Sequence, residues 1–182
     1  MLTLAAHILD ITENSIRAGA KLVEIIIEED TQANLLTIEI NDDGRGMNNE
    51  ILSRIFDPFY TTKTVRRVGL GLPLLKYAAE RAGGALIVNS KENQGTRIKA
   101  TFELSHLDRQ PLGDIKNTLI ILIIANIHID FFYKHRHNDR RFELDTREIR
   151  KEIEDVPINH PEIIKFIRGV IDEGLGQIGS DA

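Results

Sequence analysis

An α/β two-layer sandwich, with helices packed on one face of a mixed sheet, is the fold this sequence predicts. Three observations lead there. Periodicities run in the order helix, two strands, helix, irregular loop, helix, two strands. The runs LVEIIIEE (22–29) and LLTIEIN (35–41) are rich in β-branched residues and joined by a polar turn. The helical stretches are apolar along one stripe, so each has one face to bury against a sheet and one to leave in water.

Residues 3–18 read as the first helix, because Leu4, Ile8, Ile11, Ser15 and Ala18 recur at helical spacing and Gly19 supplies a stop. The two strands follow, around a turn that includes Asp30 and Asn34. A glycine loop then leads into a short helix at 49–55, and residues 57–68 look irregular. A second amphipathic helix runs about 70–82 and ends at Gly83-Gly84. ALIVNSK (85–91) and TRIKATFEL (96–104) form a hairpin around Asn93 and Gly95.

These elements make a first domain of residues 1–105. Residues 106–113 read as a linker, and 114–182 as a small α+β subdomain. Its expected parts are a buried helix at 114–126, strands at 129–136 and 140–146, and charged amphipathic helices at about 146–155 and 160–173. A unit this small needs help from its neighbour to build a stable core. Lys134, His135, Arg136, His137, Arg140 and Arg141 crowd its hairpin tip, which reads as a solvated turn above an aromatic strand. A contact with nucleic acid or an acidic partner is the other reading of that tip.

Composition narrows the function. The 182 residues are 42% hydrophobic and 28% charged, as in a globular chain with a real core. With 23 basic against 28 acidic side chains, general nucleic-acid binding is disfavoured. The absence of cysteine excludes disulfides, thiolate metal sites and cysteine nucleophiles. The apolar run TLIILIIANI (118–127) is far short of the roughly 20 residues a spanning helix needs. No secretory signal is visible either, so the expected location is the cytoplasm.

Four short polar motifs stand in order: DITENSIRAGA (10–20), NDDGRGM (41–47), FDPFYTTK (56–63) and VGLGLPLLK (68–76), with QGT (94–96) behind them. In the first, Asp10, Asn14 and Arg17 share one stripe of a helix, beside the apolar one. An acid and an amide oxygen one turn apart suit a hard divalent cation, and the arginine suits a phosphate. Taken in isolation, such a triplet is more simply a solvated polar helix face. NDDGRGM sets two acids at a strand end before Gly44 and Gly46; a carboxylate there can accept from an exocyclic amine, while DDG is also ordinary turn chemistry. In FDPFYTTK, Phe56, Pro58 and Phe59 pin a loop base. Lys63, Arg66 and Arg67 follow in a stretch short enough to act as a lid. Gly69-Leu70-Gly71 opens the next helix, whose free amides attract phosphate. Neither a Walker P-loop nor a GxGxxG fingerprint is present.

The set resembles the ATPase superfamily of DNA gyrase, MutL mismatch-repair proteins and sensor histidine kinases (GHKL, the Bergerat fold), over about residues 3–104. FDPFYTTK followed by GLGL is closest to histidine-kinase domains, whereas ENSIRAGA is closer to MutL-like proteins. The resemblance implies ATP or ADP with Mg2+ as ligands. It gives Asn14 to magnesium and Asp42 to the adenine N6 group, with Thr96 supporting Asp42. It sets Gly44 and Gly46 beside the adenine, and Gly69, Leu70 and Gly71 at the phosphates, with Arg17, Lys63 and Arg67 as cationic contacts. Two departures matter. Asp10 stands where hydrolysing relatives carry a glutamate base, so it is a working base, a metal ligand through water, or neither. Val68 stands where histidine kinases often have Gly-Thr. His7 reads as a satisfied helix histidine.

The expectation is therefore an ATP–magnesium-binding, histidine-kinase-like protein without its own phosphoacceptor domain. It transfers the γ-phosphoryl group to a protein partner in trans or to water. The alternative is a non-catalytic nucleotide sensor.

Overall fold

The computed structural model describes residues 2–57 and 70–180. Six helices are described: α1 (Leu4–Arg17), α2 (Asn49–Arg54), α3 (Gly71–Arg81), α4 (Ile115–Ala125), α5 (Thr146–Ile153) and α6 (Pro161–Ile178). The strands are β1 (Leu22–Asp30), β2 (Leu35–Asp42), β3 (Ala85–Ser90), β4 (Thr96–Glu103), β5 (Asp130–His137) and β6 (Arg140–Asp145). They form one sheet in the order β3-β4-β2-β1-β5-β6. All neighbours are antiparallel except β1 and β5, which makes the sheet mixed, as expected.

Alternation decides which face is covered. Val23, Ile25 and Ile27 of β1 are buried, and register aligns Ile25 with Ile40 of β2 and Tyr133 of β5. Ile98, Ala100 and Phe102 extend the same face across β4. Helices α1, α3, α4 and α6 join these side chains in one core. The opposite face is held by cross-strand charge pairs, with Arg97 Nη2 at 2.8 Å from Glu39 Oε2 and Arg136 Nε at 3.3 Å from Glu28 Oε1. Burial raises the Glu39 carboxyl, but the bonds from Arg97 and Asn41 outweigh it and hold it below the usual range.

The C-terminal third departs from the expected small subdomain. Its strands continue the sheet of residues 1–105, because β5 lies parallel to β1 along eight paired positions from Leu22–Asp130 to Glu29–His137. A parallel neighbour needs a crossover, and residues 104–129 supply it through α4, which packs against α1 and α6. The expected linker is structured by that crossover. Pro111 O and Leu112 O accept the free amides of Leu4 (3.0 Å) and Ala5 (2.7 Å) at the start of α1. The apolar run within α4 is accordingly a core helix, with Leu119, Ile120, Leu122 and Ile123 at 1% exposure. No described helix is long and apolar enough to cross a membrane.

Two further expectations shift. Helix α6 continues to Ile178 rather than stopping at 173, and ends at Gly179 in the left-handed conformation (φ 65°). Gly174 lies inside it because Phe142 of β6 packs there: an added Cβ would sit 2.1 Å from Phe142 Cδ2. The variant Gly174→Ala gains up to about 1 kcal/mol of helix propensity yet overpacks this contact. A net loss of about 1–2 kcal/mol is expected, read as a lower urea midpoint.

His135, expected at a solvated tip, is wholly buried instead. Strand alternation sets it in phase with Phe131 and Tyr133. Its Nε2 lies 2.6 Å from Glu29 Oε1 and its Nδ1 lies 2.8 Å from the Tyr133 hydroxyl, while Ser180 Oγ donates to Glu29 Oε1 at 2.6 Å. Burial pushes the Tyr133 phenol well up, so it stays a neutral donor to the imidazole.

Candidate functional site

Helix α1, the loop after β2, the β3–β4 turn and the first turn of α3 enclose a cleft of about 610 Å³. Its exposed lining is mainly apolar, with Ile11, Leu72 and Ile98 among the lining residues, interrupted by polar side chains. Asn14, Arg17, Asp42 and Thr96 all line it, so the cleft collects residues from three separate motifs. Such a shape suits a flat apolar ring with a polar edge, extended by a charged group.

The two acids of NDDGRGM part ways. Asp43 turns back to the start of β1, where its Oδ1 accepts from Lys21 N (2.7 Å) and Leu22 N (3.0 Å). Asp42 ends β2, lies half-buried and lines the cleft. Ser15 Oγ donates to its Oδ2 at 2.7 Å, and Gly44 N donates to its Oδ1 at 3.0 Å. One donor per oxygen fixes the carboxylate's plane and leaves acceptor capacity free.

The loop over this carboxylate is tied on three sides. Arg45 N donates to Ala18 O at 3.0 Å, Asn93 N to Arg45 O at 2.6 Å, and Met47 N to Ser90 Oγ at 2.8 Å. Gly46 is required there: its φ is +62°, and a Cβ would lie 2.0 Å from Lys91 O. Thr96 sits directly across from Asp42 in the β2–β4 register, with its hydroxyl 2.9 Å from Ser90 Oγ. Its side chain thus holds the loop's own tether, Ser90.

On α1, Asn14 and Asp10 are half-buried one turn apart. Arg17 Nη1 donates to Asn14 Oδ1 at 3.0 Å, and Arg17 Nη2 pairs with Glu13 Oε2 at 2.6 Å. Asp10 reaches the start of α3, where a Cβ on Gly71 would lie 1.9 Å from Asp10 Oδ2. Only glycine admits this approach, which brings the acid stripe of α1 against the first turn of α3. Leu70, just before that turn, is exposed. The predicted Lys63, Arg67 and Gly69 lie outside the described residues.

His7 is buried and only half satisfied: its Nε2 lies 3.0 Å from Gln110 Oε1, whereas its Nδ1 has no hydrogen-bond partner among the described residues. Burial lowers its imidazole below the usual value, partly offset by Gln110. Sequence reading missed Ser15, Ser90 and Asn93. Only Ser15 had left a signal: it stands inside the apolar stripe of α1, where a buried hydroxyl must find a partner.

The chain matches a family model described as histidine kinase-, DNA gyrase B-, and HSP90-like ATPase over residues 2–106. The sensor protein kinase WalK of Staphylococcus haemolyticus is 35% identical over 95 residues, 50% of this chain and 16% of that protein. WalK of Staphylococcus epidermidis is 36% identical over 89 residues, 46% of this chain and 15% of its own length. The chain therefore spans about a sixth of the length of these curated relatives. A solved N-terminal domain of a DNA repair protein superposes with a TM-score of 0.57 at 18% identity, covering 80% of this chain and 53% of that one. This likeness of fold covers more of the chain than residues 2–106.

Proposed function

Because the chain belongs to the histidine kinase-, DNA gyrase B-, and HSP90-like ATPase family and carries a histidine-kinase-type ATP-binding domain, we propose that its cleft binds ATP with magnesium for γ-phosphoryl transfer to a protein partner or water. The observation that supports this most is Asp42, fixed by Ser15 and Gly44 N in the lining of a mainly apolar cleft. An acceptor-only carboxylate there selects a ring that presents an amine, as adenine does at N6. Gly44 and Gly46 let the loop backbone lie close to the ring, and Thr96 stiffens that loop through Ser90.

The donor set fits a hard cation. Asn14 Oδ1 and the Asp10 carboxylate are oxygen donors one turn apart, and the chain has no cysteine thiolate to compete with them. In this reading Asn14 holds the metal and Asp10 supports it from the second turn; bound magnesium neutralises charge on the phosphates. The start of α3 offers backbone amides, with Gly69, Leu70 and Gly71 nearest the phosphates. Arg17, Lys63 and Arg67 supply positive charge around them. Residues 1–105 carry the nucleotide in this reading, and residues 114–182 engage the partner. The buried His7 is out of reach as an acceptor, which favours transfer in trans. The cytoplasm is the compartment where such a reaction finds its ATP.

One contact favours the second reading, a nucleotide sensor with little turnover. Asp10 lies so close to the first turn of α3 that a Cβ on Gly71 would strike its Oδ2, a poor position from which to activate an attacking group. Incubation with γ-labelled ATP and magnesium separates the two. Release of label, or its transfer to an added protein, is the expected result. Bound ATP recovered intact supports the sensor, and no bound nucleotide at all overturns both.

A further inference from the structure

We infer that Glu13 is a positioning residue for nucleotide loading: it holds Arg17 across the carbonyl oxygen of Asn14, so the pair must open before Asn14 can take a cation. The inference rests on the cleft binding a magnesium–nucleotide complex and concerns how that cleft is gated.

Three side chains from a single helical turn make the device. Asn14 has one side-chain acceptor, Oδ1, and Arg17 Nη1 donates to it at 3.0 Å. The other arm of the same guanidinium, Nη2, reaches Glu13 Oε2 at 2.6 Å. The planar fork makes both bonds at once, so either partner helps to keep the other. The Glu13 and Arg17 side chains are 46% and 51% exposed, and both therefore remain free to swing.

A hard cation on Asn14 Oδ1 and a guanidinium bonded to that same oxygen repel each other. Arg17 has to leave when the metal arrives, and phosphate oxygens offer it a bidentate destination. Glu13 opposes the move. It gains nothing from the phosphates, which repel its carboxylate, and its attraction to Arg17 favours the closed arrangement. Loading is thus an exchange of one arginine between a carboxylate of the chain and a phosphate of the ligand. The differential is small because the pair is solvated, but it acts on every binding event.

The test is calorimetry of Mg-ATP binding to wild type, Glu13→Gln, Arg17→Met and the double variant. Glu13→Gln is expected to tighten binding by about threefold, the scale of an exposed ion pair. Arg17→Met is expected to weaken it, and in that background Glu13→Gln should change nothing, because no arginine remains to be released. The cycle separates this device from a mere loss of negative charge near the ligand, which would tighten binding with or without Arg17. Equal or weaker binding by Glu13→Gln overturns the inference, as does a gain that persists beside Arg17→Met. If wild type binds and only the cycle fails, the nucleotide site stands and the gate does not. If wild type binds no nucleotide, both fall.

Discussion

Asp42→Asn is expected to weaken ATP binding by about a hundredfold while leaving the fold's stability nearly unchanged. The Asp42 oxygens accept from Ser15 Oγ and Gly44 N. An asparagine must keep its oxygen on Gly44 N–H, because an amide NH2 there would oppose another donor. Its nitrogen then meets Ser15, whose hydroxyl can turn round and accept, so the protein's own bonds survive. The second amide hydrogen points into the cleft, where the adenine amine also brings a hydrogen. Two donors facing each other replace a charge-assisted bond, a difference of about 2–4 kcal/mol. Calorimetry with ATP and a urea titration of the same variant check the two halves. Affinity equal to wild type would remove the purine role of Asp42. A large loss of stability would instead make the residue structural.

The second large effect is expected far from that cleft. His135→Leu keeps the volume of a fully buried side chain but leaves Glu29, 3% exposed, with Ser180 as its remaining partner in the network, and strands the Tyr133 hydroxyl. Removing the partner of a buried carboxylate leaves an uncompensated charge and costs about 3–5 kcal/mol, enough to consume much of a domain's stability. Replacing Glu29 by Leu as well should recover part of the loss, since no uncompensated carboxylate remains. Urea midpoints of wild type, single and double variants give the comparison. A double variant no better than His135→Leu would show that packing, not charge, is what was lost.

Glu29 also sets an acid limit. Burial alone would raise its carboxyl, but the hydrogen bonds from His135 and Ser180, with the nearby imidazoles, outweigh burial and hold it below the ordinary value. A carboxyl depressed in the folded state contributes stability that is complete above its unfolded pKa, about 4.3. That contribution is lost as pH falls through the folded value. Stability of the wild type should therefore drop on acidification below about pH 4.3, and Glu29→Gln should flatten the profile in that window. The same slope in both would assign the acid transition to other carboxylates.

Much of this was legible because it is local. The turn residues Asn34, Asn93 and Asn138 all adopt positive φ, as short polar turns between β-rich runs require. Gly46 and Gly71 stand where a side chain would strike Lys91 O or Asp10, and the motifs flagged both. The alternation of FFYKHRH also held the information that His135 follows the buried phase of Phe131 and Tyr133, although charge density at the tip masked it. Ser15 and Asp42 are 27 residues apart, and Glu29 and His135 are 106 apart. No periodicity within one element reports such pairings.

Sequence alone determined the elements and their order, and it named Asn14, Arg17, Asp42, Gly46 and Thr96 of the cleft lining, because propensity, turn chemistry and spacing are properties of neighbouring residues. The tertiary structure decided that the last third completes the same sheet, that Asp43 turns away to the start of β1, and that a buried glutamate–histidine pair locks β5 beside β1. Those outcomes depend on which surfaces meet after the chain has folded back on itself. Apolar burial drives that meeting without specifying partners, and register and hydrogen bonds choose among them only once the chain is compact.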